Sequence, residues 1–334
     1  EIVDAAVALL DDPTLGDEAL LDIVPGPDFP TGGEIMGRTA PRNALREGRG
    51  SVIVRGVAVI EEIRKDREAI VVTELPFQVN KQTLIERIAD MVREKRIEGI
   101  SDVRDESDRQ GMRIVIELKR DASGDVILNQ LWRYSAMQSS FGVNMLALNH
   151  GRPEQMGLRK LLEVFLDFRE EVVVRRVKYE LAKARDRGHV LVGLAVAVAN
   201  IDEVIHIIRS SADPAEARER LQAKAWPVGD MIALVELIAD PRSMLIEGDK
   251  LNLTDEQARA ILALTLSRLT GLGRDDILGE ARGLADTIQG HLTILSDRAN
   301  IIAIIREDLL AVKEQFAVPR RTKIGDGDFE LEDE

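Results

Sequence analysis

The stretch Val24-Pro25-Gly26-Pro27-Asp28-Phe29-Pro30-Thr31-Gly32-Gly33 interrupts a chain that is otherwise rich in helix and strand patterns. Its three prolines fix φ and remove backbone donors, and its glycines widen the range of φ, so the stretch cannot form a helix. We predict a rigid, extended connector over 24–33 that ends one structural unit and begins the next. Before it, residues 1–12 place apolar side chains at helical spacing and stop at Pro13, which predicts a short helix.

After the connector, β-branched runs alternate with helical patterns. Strands are expected in the region 34–76, chiefly over 51–59 and 69–75, with a charged turn at 64–68 between them. The elements predicted next are a helix from Asn80 or Lys81 to about Lys95, strands over 97–103 and 112–118, and a helix over 125–134. This order predicts an α+β domain that ends near Gly151.

Beyond residue 156 the apolar spacing becomes that of long helices. Residues 158–187 contain neither glycine nor proline, which predicts one helix of about 30 residues. Its apolar seam steps by 3 and 4 through Leu158, Leu161, Phe165, Phe168 and Val172. A second pattern of this kind covers 277–316. Together the two predict an antiparallel coiled coil with a small domain at its tip, and two helices of an ordinary bundle are the alternative.

The insert between the two long helices, roughly 190–274, is predicted to be all-helical. Thr254 is a suitable N-cap, and Gln257 stands at the capping-box spacing before the apolar pattern of 258–269. A helix is therefore expected to begin at Thr254.

Composition and charge exclude several classes of protein. The chain has 334 residues, a formal net charge of −14 and no cysteine, so about two domains are expected and a disulfide framework is excluded. No apolar run approaches the roughly 18 residues of a membrane helix. The acidic total argues against a general nucleic-acid coat protein, but five arginines against one acid in 38–55 form a local basic region. Six acids in 326–334 lead us to expect an exposed, disordered linker after Pro319.

Catalytic constellations are absent from the sequence. Neither G-x-x-x-x-G-K-[ST] nor G-x-G-x-x-G occurs, so no phosphate-binding loop is expected. The run Asp-Glu-Ser-Asp at 105–108 could hold a hard cation, but its place between two predicted strands favours a turn. A nucleophilic tyrosine needs a neighbouring base or cation. Tyr134 follows Arg133 but lies on the flank of a predicted helix, and Tyr179 lies at a seam position of the long helix, so both are interpreted as packing residues. The scattered histidines are expected to be structural or exposed: His150, His189, His206 and His291.

The basic region 38–55 is the strongest functional signal that the residues themselves give. Arginines on or near flexible loops could follow the phosphates of a nucleic acid. A solvated arginine-rich surface is an equally good interpretation of the same pattern.

A series of motifs, in order along nearly the whole chain, resembles the A subunits of bacterial type IIA DNA topoisomerases. The motifs are I-V-P-G-P-D-F-P-T-G-G (23–33), G-R-G (48–50), E-L-P-F-Q-V-N-K (74–81), R-D-E-S-D (104–108), G-M-R-I-V-I-E (111–117), Q-S-S-F-G-V-N-M (138–145), R-R (175–176), A-N-I-D (199–202), Q-A-R-A-I-L (257–262), R-L-T-G-L (268–272) and R-R-T (320–322). Leu45, where an aromatic is usual, and A-L-T-L-S (263–267) depart from the family pattern. The second departure puts salt bridges of the gate in doubt.

The resemblance implies a domain order. It comprises the end of a winged-helix region over 1–24, an α+β tower domain over 25–155, an antiparallel coiled coil over 156–190 and 274–318, a helical dimerisation gate over 191–273, and an acidic linker over 319–334. In this family the catalytic tyrosine lies before the first of these parts, so no catalytic residue is carried onto this chain. The Arg-Arg-Thr ending favours the gyrase branch over the topoisomerase IV branch.

The resemblance also implies an activity. The whole enzyme would pass one duplex through a double-strand break in another and, in the gyrase branch, negatively supercoil DNA. Mg²⁺ and ATP would be bound by the partner B subunit of an A2B2 assembly, and no cofactor is expected in this chain. The chain would be inactive alone, would form a homodimer through its gate, and would be cytoplasmic and chromosome-associated.

Two sets of site residues follow from the resemblance and the basic region. The candidates for contact with DNA phosphates are Arg38, Arg42, Arg49, Arg55 and Lys81. The candidates for the dimer gate lie on a helix predicted over 254–272 and are Ala258, Ile261, Leu262, Leu266 and Leu269. The alternatives are a topoisomerase IV A subunit, or a non-enzymatic coiled-coil DNA clamp or scaffold, which would give no reason for the ordered motifs.

Overall fold

The computed structural model describes residues 1–64, 67–238, 240–243, 245–246, 249–265 and 271–326. The chain divides into two compact units. One unit comprises Glu1–Asp167 with the described residues from Asp308 onward, and the other comprises Phe168–Glu307.

The first unit begins with two short helices, α1 (Ile2–Asp11) and α2 (Asp17–Ile23), followed by the extended connector. Residues 24–33 form neither helix nor strand, as predicted, but they do not separate two units, because the residues on both sides belong to Glu1–Asp167. The helix predicted over 1–12 is also confirmed, and it ends before Pro13. Buried Ala5, Ala6 and Leu9 form its inner face.

The segment after Pro319 corrects the expectation of an exposed linker. The Arg320 guanidinium donates to the carbonyl oxygens of Gly26 and Pro27, each at 2.7 Å. The fully buried Thr322 hydroxyl accepts from the Phe29 amide at 2.7 Å. An extended connector leaves its own polar groups unpaired, and residues 320–322 provide those partners. The prediction for residues 327–334 lies outside the described residues.

Sheet A contains four strands in the order β12-β1-β2-β7. The strands are β1 (Glu34–Ile35), β2 (Arg49–Arg55), β7 (Gln138–Asn144) and β12 (Lys323–Ile324). β12 pairs with β1 in parallel, and the other pairs are antiparallel. On the inner face of sheet A, Val52, Val54 and Val143 pack in one core cluster with Phe29 and Ala44. Phe29, Phe77 and Phe141 form a cluster of rings with centroids 4.9–6.0 Å apart.

Sheet B also contains four strands, in the order β3-β4-β6-β5. They are β3 (Val57–Arg64), β4 (Arg67–Glu74), β5 (Ile100–Asp105) and β6 (Ile114–Leu118). Helices α4 (Lys81–Arg93) and α5 (Gly124–Tyr134) cover one face through a core that includes Ile70, Ile88 and Ile116. These elements confirm both predicted helices and the strands predicted over 69–75, 97–103 and 112–118. The run 51–59 is not one strand, because Gly56 separates β2 from β3 and the two lie in different sheets. The hairpin of β8 (Leu146–Asn149) and β9 (Arg152–Gln155) follows.

The basic region corrects our expectation that its arginines lie on flexible loops. Residues Thr39–Glu47 form helix α3, with Arg38 as its N-cap residue. The helix ends at Gly48, which has φ of 74°, and the backbone of Met156 and Gly157 passes directly beside it. Only glycine fits both sides of this crossing, because a Cβ atom on Gly48 or Gly157 would overlap a carbonyl oxygen of the other segment.

The long helix α6 extends farther than predicted, over Leu158–Ala199. Its predicted seam is partly wrong, because Phe165 and Phe168 are exposed. Because these two aromatics are exposed, the buried stripe must lie on another side of the helix. A spacing of 3 and 4 residues indicates a helix but does not by itself determine which side of it is buried. The residues that are buried along the helix up to Ala184 are Leu158, Leu162, Val173, Val177, Leu181 and Ala184.

The remaining elements of the second unit are mostly helical. They are α7 (Ile201–Ser210), α8 (Pro214–Ala223), β10 (Ala225–Pro227), α9 (Ile232–Ile238), β11 (Lys250–Asn252), α10 (Asp255–Leu262), α11 (Gly271–Ser296) and α12 (Arg298–Phe316), which ends in the first unit. The insert is therefore not all-helical, because β10 and β11 form an antiparallel pair. The second long pattern is two helices, α11 and α12, separated at Asp297.

Two ion pairs show that α6 and the α11–α12 segment run in opposite directions. Arg187 contacts Glu280 at 2.6 Å, and Arg298 contacts Glu170 at 2.8 Å. The residue number therefore rises along one partner as it falls along the other. The shared core contains Leu181 and Ala184 of α6 with Ala281 and Ile288 of α11.

The last turns of α6 are buried on nearly all sides. All of residues 191–198 are buried. Gly193 lies so close to Gln257 that a Cβ atom at its position would be 2.6 Å from that side chain. Within the described residues no single helix is long and apolar enough to cross a membrane. The bent pair α6–α7 meets the length and composition criteria together, but its apolar turns lie in the core of this unit.

The crossing at Gly48 and Gly157 predicts a specific loss of stability. Gly157→Ala should lower the free energy of unfolding by about 1–3 kcal/mol, because the added methyl group overlaps the Arg46 carbonyl. Urea unfolding followed by circular dichroism measures the change.

Gly142→Ala is the matched control, because nothing lies within 4 Å of the position of its Cβ. A strand glycine in open space should gain about 0.5–1 kcal/mol on this change. Equal stabilities of the two variants would contradict the close crossing.

Candidate nucleic-acid interface and dimer contact

The arginines of α3 bind acids of the neighbouring helix α2. Arg42 contacts the Glu18 and Asp22 carboxylates, each at 2.9 Å, and Arg46 also binds Glu18. The hydrogen bond from Arg42, with the charge of Arg46, lowers the pKa of Glu18. A carboxylate held in this way stays charged, so α2 neutralises much of the positive surface that the sequence places on α3.

Arg38 is more accessible than Arg42. Its side chain is 65% exposed, and its ion pair is with Asp326, which is 87% exposed. Beside it lies a cleft of about 450 Å³ whose charged lining residues are Arg38, Arg42, Arg320, Lys323 and Asp22. Four cations against one carboxylate in the lining make this cleft locally basic.

Arg49 and Arg55 stand at the two ends of β2 and have different surroundings. Arg49 is exposed and forms no ion pair with any residue that the structure describes. The Arg55 Nε donates to Gln138 Oε1 at 2.6 Å, and its guanidinium lies 4.5 Å from the ring centroid of Trp132. Burial lowers the pKa of Arg55, and the Glu34 carboxylate partly opposes this shift. Arg49 is thus available to a ligand, whereas Arg55 is held by its own unit.

Lys81 is held by a carboxylate at the end of β5. Its Nζ lies 2.6 Å from Asp105 Oδ2, and this bond, with those from Ser107, lowers the pKa of Asp105 to about 2. Asp105 Oδ1 accepts from the Ser107 amide, and Asp108 Oδ1 accepts from the Gln110 amide. The turn interpretation of 105–108 is confirmed. Among the described residues, no cluster of acids and histidines suits a metal ion.

The packing interpretation of both tyrosines is wrong. Tyr134 is the last residue of α5 and is 52% exposed, and Tyr179 on α6 is 69% exposed. The Arg133 guanidinium lies 5.8 Å from the Tyr134 ring centroid. A seam drawn from 3,4 spacing included Tyr179 because spacing alone does not define the buried side of a long helix.

The structure divides the candidate gate residues. Helix α10 begins with the predicted capping box of Thr254 and Gln257, which confirms the start of the helix. Ala258 and Ile261 are 0% and 3% exposed because they pack into the core of their own unit. They therefore do not face a second copy, which corrects the prediction. Leu262 is partly exposed, and Leu266 and Leu269 lie outside the described residues.

Leu262 borders an open groove between α8 and α10. The groove has a volume of about 600 Å³. Its lining residues are Asp213, Pro214, Ala215, Arg218, Arg259, Leu262 and Ala263. This mixture of small apolar and charged side chains is of the kind found at the rim of protein interfaces.

A buried polar cluster anchors the start of α10, and sequence reasoning did not find it. His189 Nε2 is 2.7 Å from Thr254 Oγ1, and His189 Nδ1 is 2.8 Å from Ser243 Oγ. The Gln257 amide donates to the His189 carbonyl at 2.7 Å. The capping box was visible in the sequence, but nothing there connected it to a histidine 65 residues away.

Asp240 and Arg242 lie at the edge of this cluster. Arg242 donates to Asp240 and Asp186, both at 2.6 Å. Asp240 Oδ2 lies 3.7 Å from His189 Nδ1 and raises the pKa of the histidine, but burial has the larger effect and lowers that pKa. His189 therefore folds as the neutral imidazole, which suits its two hydroxyl neighbours.

The lowered pKa of His189 predicts a pH-dependent stability. The unfolded chain takes up a proton at His189 below about pH 6.5, and the folded chain resists it. The free energy of unfolding should therefore fall as the pH falls from about 7 towards about 5, and the loss should flatten below the folded pKa. Urea unfolding across this range measures it, and His189→Gln should reduce the slope. An unchanged slope in the variant would remove His189 as its source.

Comparisons with known proteins agree along the chain. The family that comprises the A subunits of DNA gyrase and topoisomerase IV matches residues 1–310. The DNA gyrase A subunit of Granulibacter bethesdensis is 50% identical over 334 residues, which cover 100% of this chain and 36% of that protein. That of Pseudomonas aeruginosa is 49% identical over 335 residues, covering 97% of this chain and 36% of the relative. That of Rickettsia typhi is 47% identical over 330 residues, covering 99% and 36%.

The chain thus spans 36% of the length of these relatives. The family match covers both units and the motifs from the connector to the long helices. With this coverage, and with half of its residues identical to those of a member, the chain belongs to the family of DNA gyrase and topoisomerase IV A subunits.

Proposed function

We propose that the chain is the DNA-holding and exit-gate part of a DNA gyrase A subunit. The whole enzyme is an ATP-dependent type II topoisomerase that passes one duplex through a break in another and negatively supercoils DNA. The observation that carries this proposal is the 50% identity to a DNA gyrase A subunit over all 334 residues. A topoisomerase IV A subunit is the second candidate, because the matching family includes both enzymes.

The parts of the chain have separate roles in this proposal. The α+β region over 25–155 is the tower that supports the outer arms of the cleaved duplex. The opposed helices α6 and α11–α12 form the coiled coil that encloses the transported duplex, and the region 191–273 is the gate. The ion pairs Arg187–Glu280 and Arg298–Glu170 support the antiparallel arrangement that this role needs.

No chemical step is assigned to this chain. The nucleophilic tyrosine belongs to the part of the enzyme before the tower, and the B subunit supplies Mg²⁺ and ATP hydrolysis in an A2B2 assembly in the bacterial cytoplasm. The chain contributes by binding, by holding geometry and by opening a protein contact. We therefore expect neither cleavage nor supercoiling from it alone.

The DNA-binding candidates differ in the support they receive. Arg49 and Arg38 are exposed, so they can reach phosphates at low cost. Arg42 and Lys81 already bind the carboxylates of Asp22 and Asp105, and the Arg55 Nε already donates to Gln138, so fewer of their N–H groups are available to a phosphate. The coiled-coil clamp alternative gains no support, because the family match extends over residues 1–310 and is not confined to the long helices.

The DNA role predicts weak, salt-sensitive binding of a duplex by the chain. Arg49→Ala should weaken the binding of a labelled duplex and make the slope of log K against log salt shallower by about 1, the contribution of one phosphate contact. Fluorescence anisotropy over a salt series measures both quantities.

Arg87→Ala on α4 is the matched control, since it removes the same charge from an exposed position on the helix that covers sheet B. It should bind like the unchanged chain. An Arg49→Ala variant with the original slope would remove Arg49 from the interface.

The gate role predicts that the chain dimerises without DNA at micromolar concentration. Leu262→Glu should produce monomers, because it places a charge in the groove beside α10 where a second copy is expected to dock. Val312→Glu, a charge at a 47% exposed position in the other unit, should remain dimeric. Sedimentation velocity distinguishes the two, and a monomeric unchanged chain would contradict the gate.

A further inference from the structure

We propose that the duplex lies on the outer face of sheet A, along strands β2 and β7, and that this face, rather than helix α3, holds its phosphate backbone. This inference rests on the proposed function, and it adds to Arg49 and Arg55 the residues of β7, which lie outside the basic region 38–55. We call this surface the β2–β7 face. It consists of Arg49, Ser51, Ile53 and Arg55 on β2 with Gln138, Ser140, Gly142 and Asn144 on β7.

The register of the two strands creates the face. Opposite pairs are Arg49 with Asn144, Ser51 with Gly142, Ile53 with Ser140, and Arg55 with Gln138. The alternate residues Val52, Val54 and Val143 are buried in the core. Because side chains alternate across a strand, the polar set is directed away from that core. The exposed members are Arg49, Ser51, Ser140, Gly142 and Asn144, and the other three are half-buried.

The chemistry of this face suits phosphates. Guanidinium, hydroxyl and amide groups are the side-chain donors that contact nucleic-acid backbones. None of the eight positions carries a carboxylate, in a chain where 59 of 334 residues are acidic. The nearest acid on the neighbouring strand, Glu34, is opposite Arg55 and Lys323 in the sheet.

Two features prepare the centre of the face for a close approach. Ser51 Oγ and Ser140 Oγ are 2.6 Å apart. One hydroxyl donates to the other, so the accepting hydroxyl keeps its own hydrogen for a further acceptor. Gly142 has no atom within 4 Å of the position of its Cβ, so a phosphate can approach the backbone there.

Helix α3 lacks these advantages. Arg42 and Arg46 share the Glu18 carboxylate, and Arg42 also binds Asp22. A phosphate on α3 would have to displace these acids and would meet their charge at close range. Arg49, at the entrance to β2, has no such competitor among the described residues.

The face also predicts the kind of recognition. Its donors are short side chains on a broad strand surface, and none is long enough to reach into a groove except the arginines. Contacts to phosphate and sugar carry no base information. Binding should therefore be independent of sequence and should fall steeply with salt.

The test measures duplex affinity of the whole chain by fluorescence anisotropy at low salt. Ser140→Glu and Gly142→Glu should each weaken binding at least about fivefold, since each places a carboxylate against the phosphates. Gly142→Lys should tighten it and steepen the salt slope by about 1, since it adds one cation to the face. A gain of affinity cannot arise from misfolding. Val126→Glu, at a 55% exposed position on α5, is the matched control and should bind like the unchanged chain.

The outcomes separate this inference from the proposed function. Binding that Ser140→Glu, Gly142→Glu and Gly142→Lys all leave unchanged, but that Arg42→Glu weakens, would overturn the β2–β7 face and leave the DNA role on α3. An unchanged chain that fails to bind duplex at low salt would overturn both. Circular dichroism of each variant establishes that a loss of affinity is not a loss of fold.

Discussion

The buried Thr322 hydroxyl joins two parts of the chain that are 293 residues apart, and the first unit depends on this contact. The connector 24–33 cannot satisfy its own backbone, and Thr322, Arg320 and Arg321 complete it with hydrogen bonds. The chain must therefore leave this unit through α6 and return to it through α12. Because the entropy of loop closure grows only slowly with length, a loop of this size is compatible with a stable contact.

The second constraint is electrostatic. An acidic chain can hold DNA only if its cations are not all taken by its own carboxylates, and the structure shows two classes of arginine. Arg42 and Arg46 bind α3 to α2. Arg49 is the first residue of β2 and lies on a strand surface without acidic side chains. Exposed ion pairs contribute little to stability, typically about 0–1 kcal/mol, so what matters for function is which cations they occupy.

Sequence reasoning predicted the elements better than their partners. The connector, α1, α4, α5 and the capping box of α10 follow from local rules, namely proline and glycine chemistry, apolar spacing and N-cap preference. Three features depend on contacts between residues that are distant in the chain. They are the packing of the segment after Pro319 against the connector, the binding of Arg42 by acids of α2, and the cluster around His189. The face of α6 was misjudged at Phe168 and Tyr179 because a 42-residue helix changes its neighbours along its length. Ala258 and Ile261 were chosen as interface residues because they are apolar, and the sequence does not show that they pack into the core of their own unit.

The central claim is that the first unit holds a duplex on sheet A. Hydrogen–deuterium exchange of the whole chain, with and without duplex at low salt, tests it most directly. If the claim is correct, DNA slows amide exchange in β2 and β7, over 49–55 and 138–144, and leaves α4 and α5 unchanged. Protection confined to α3, or no protection anywhere in the first unit, would contradict it.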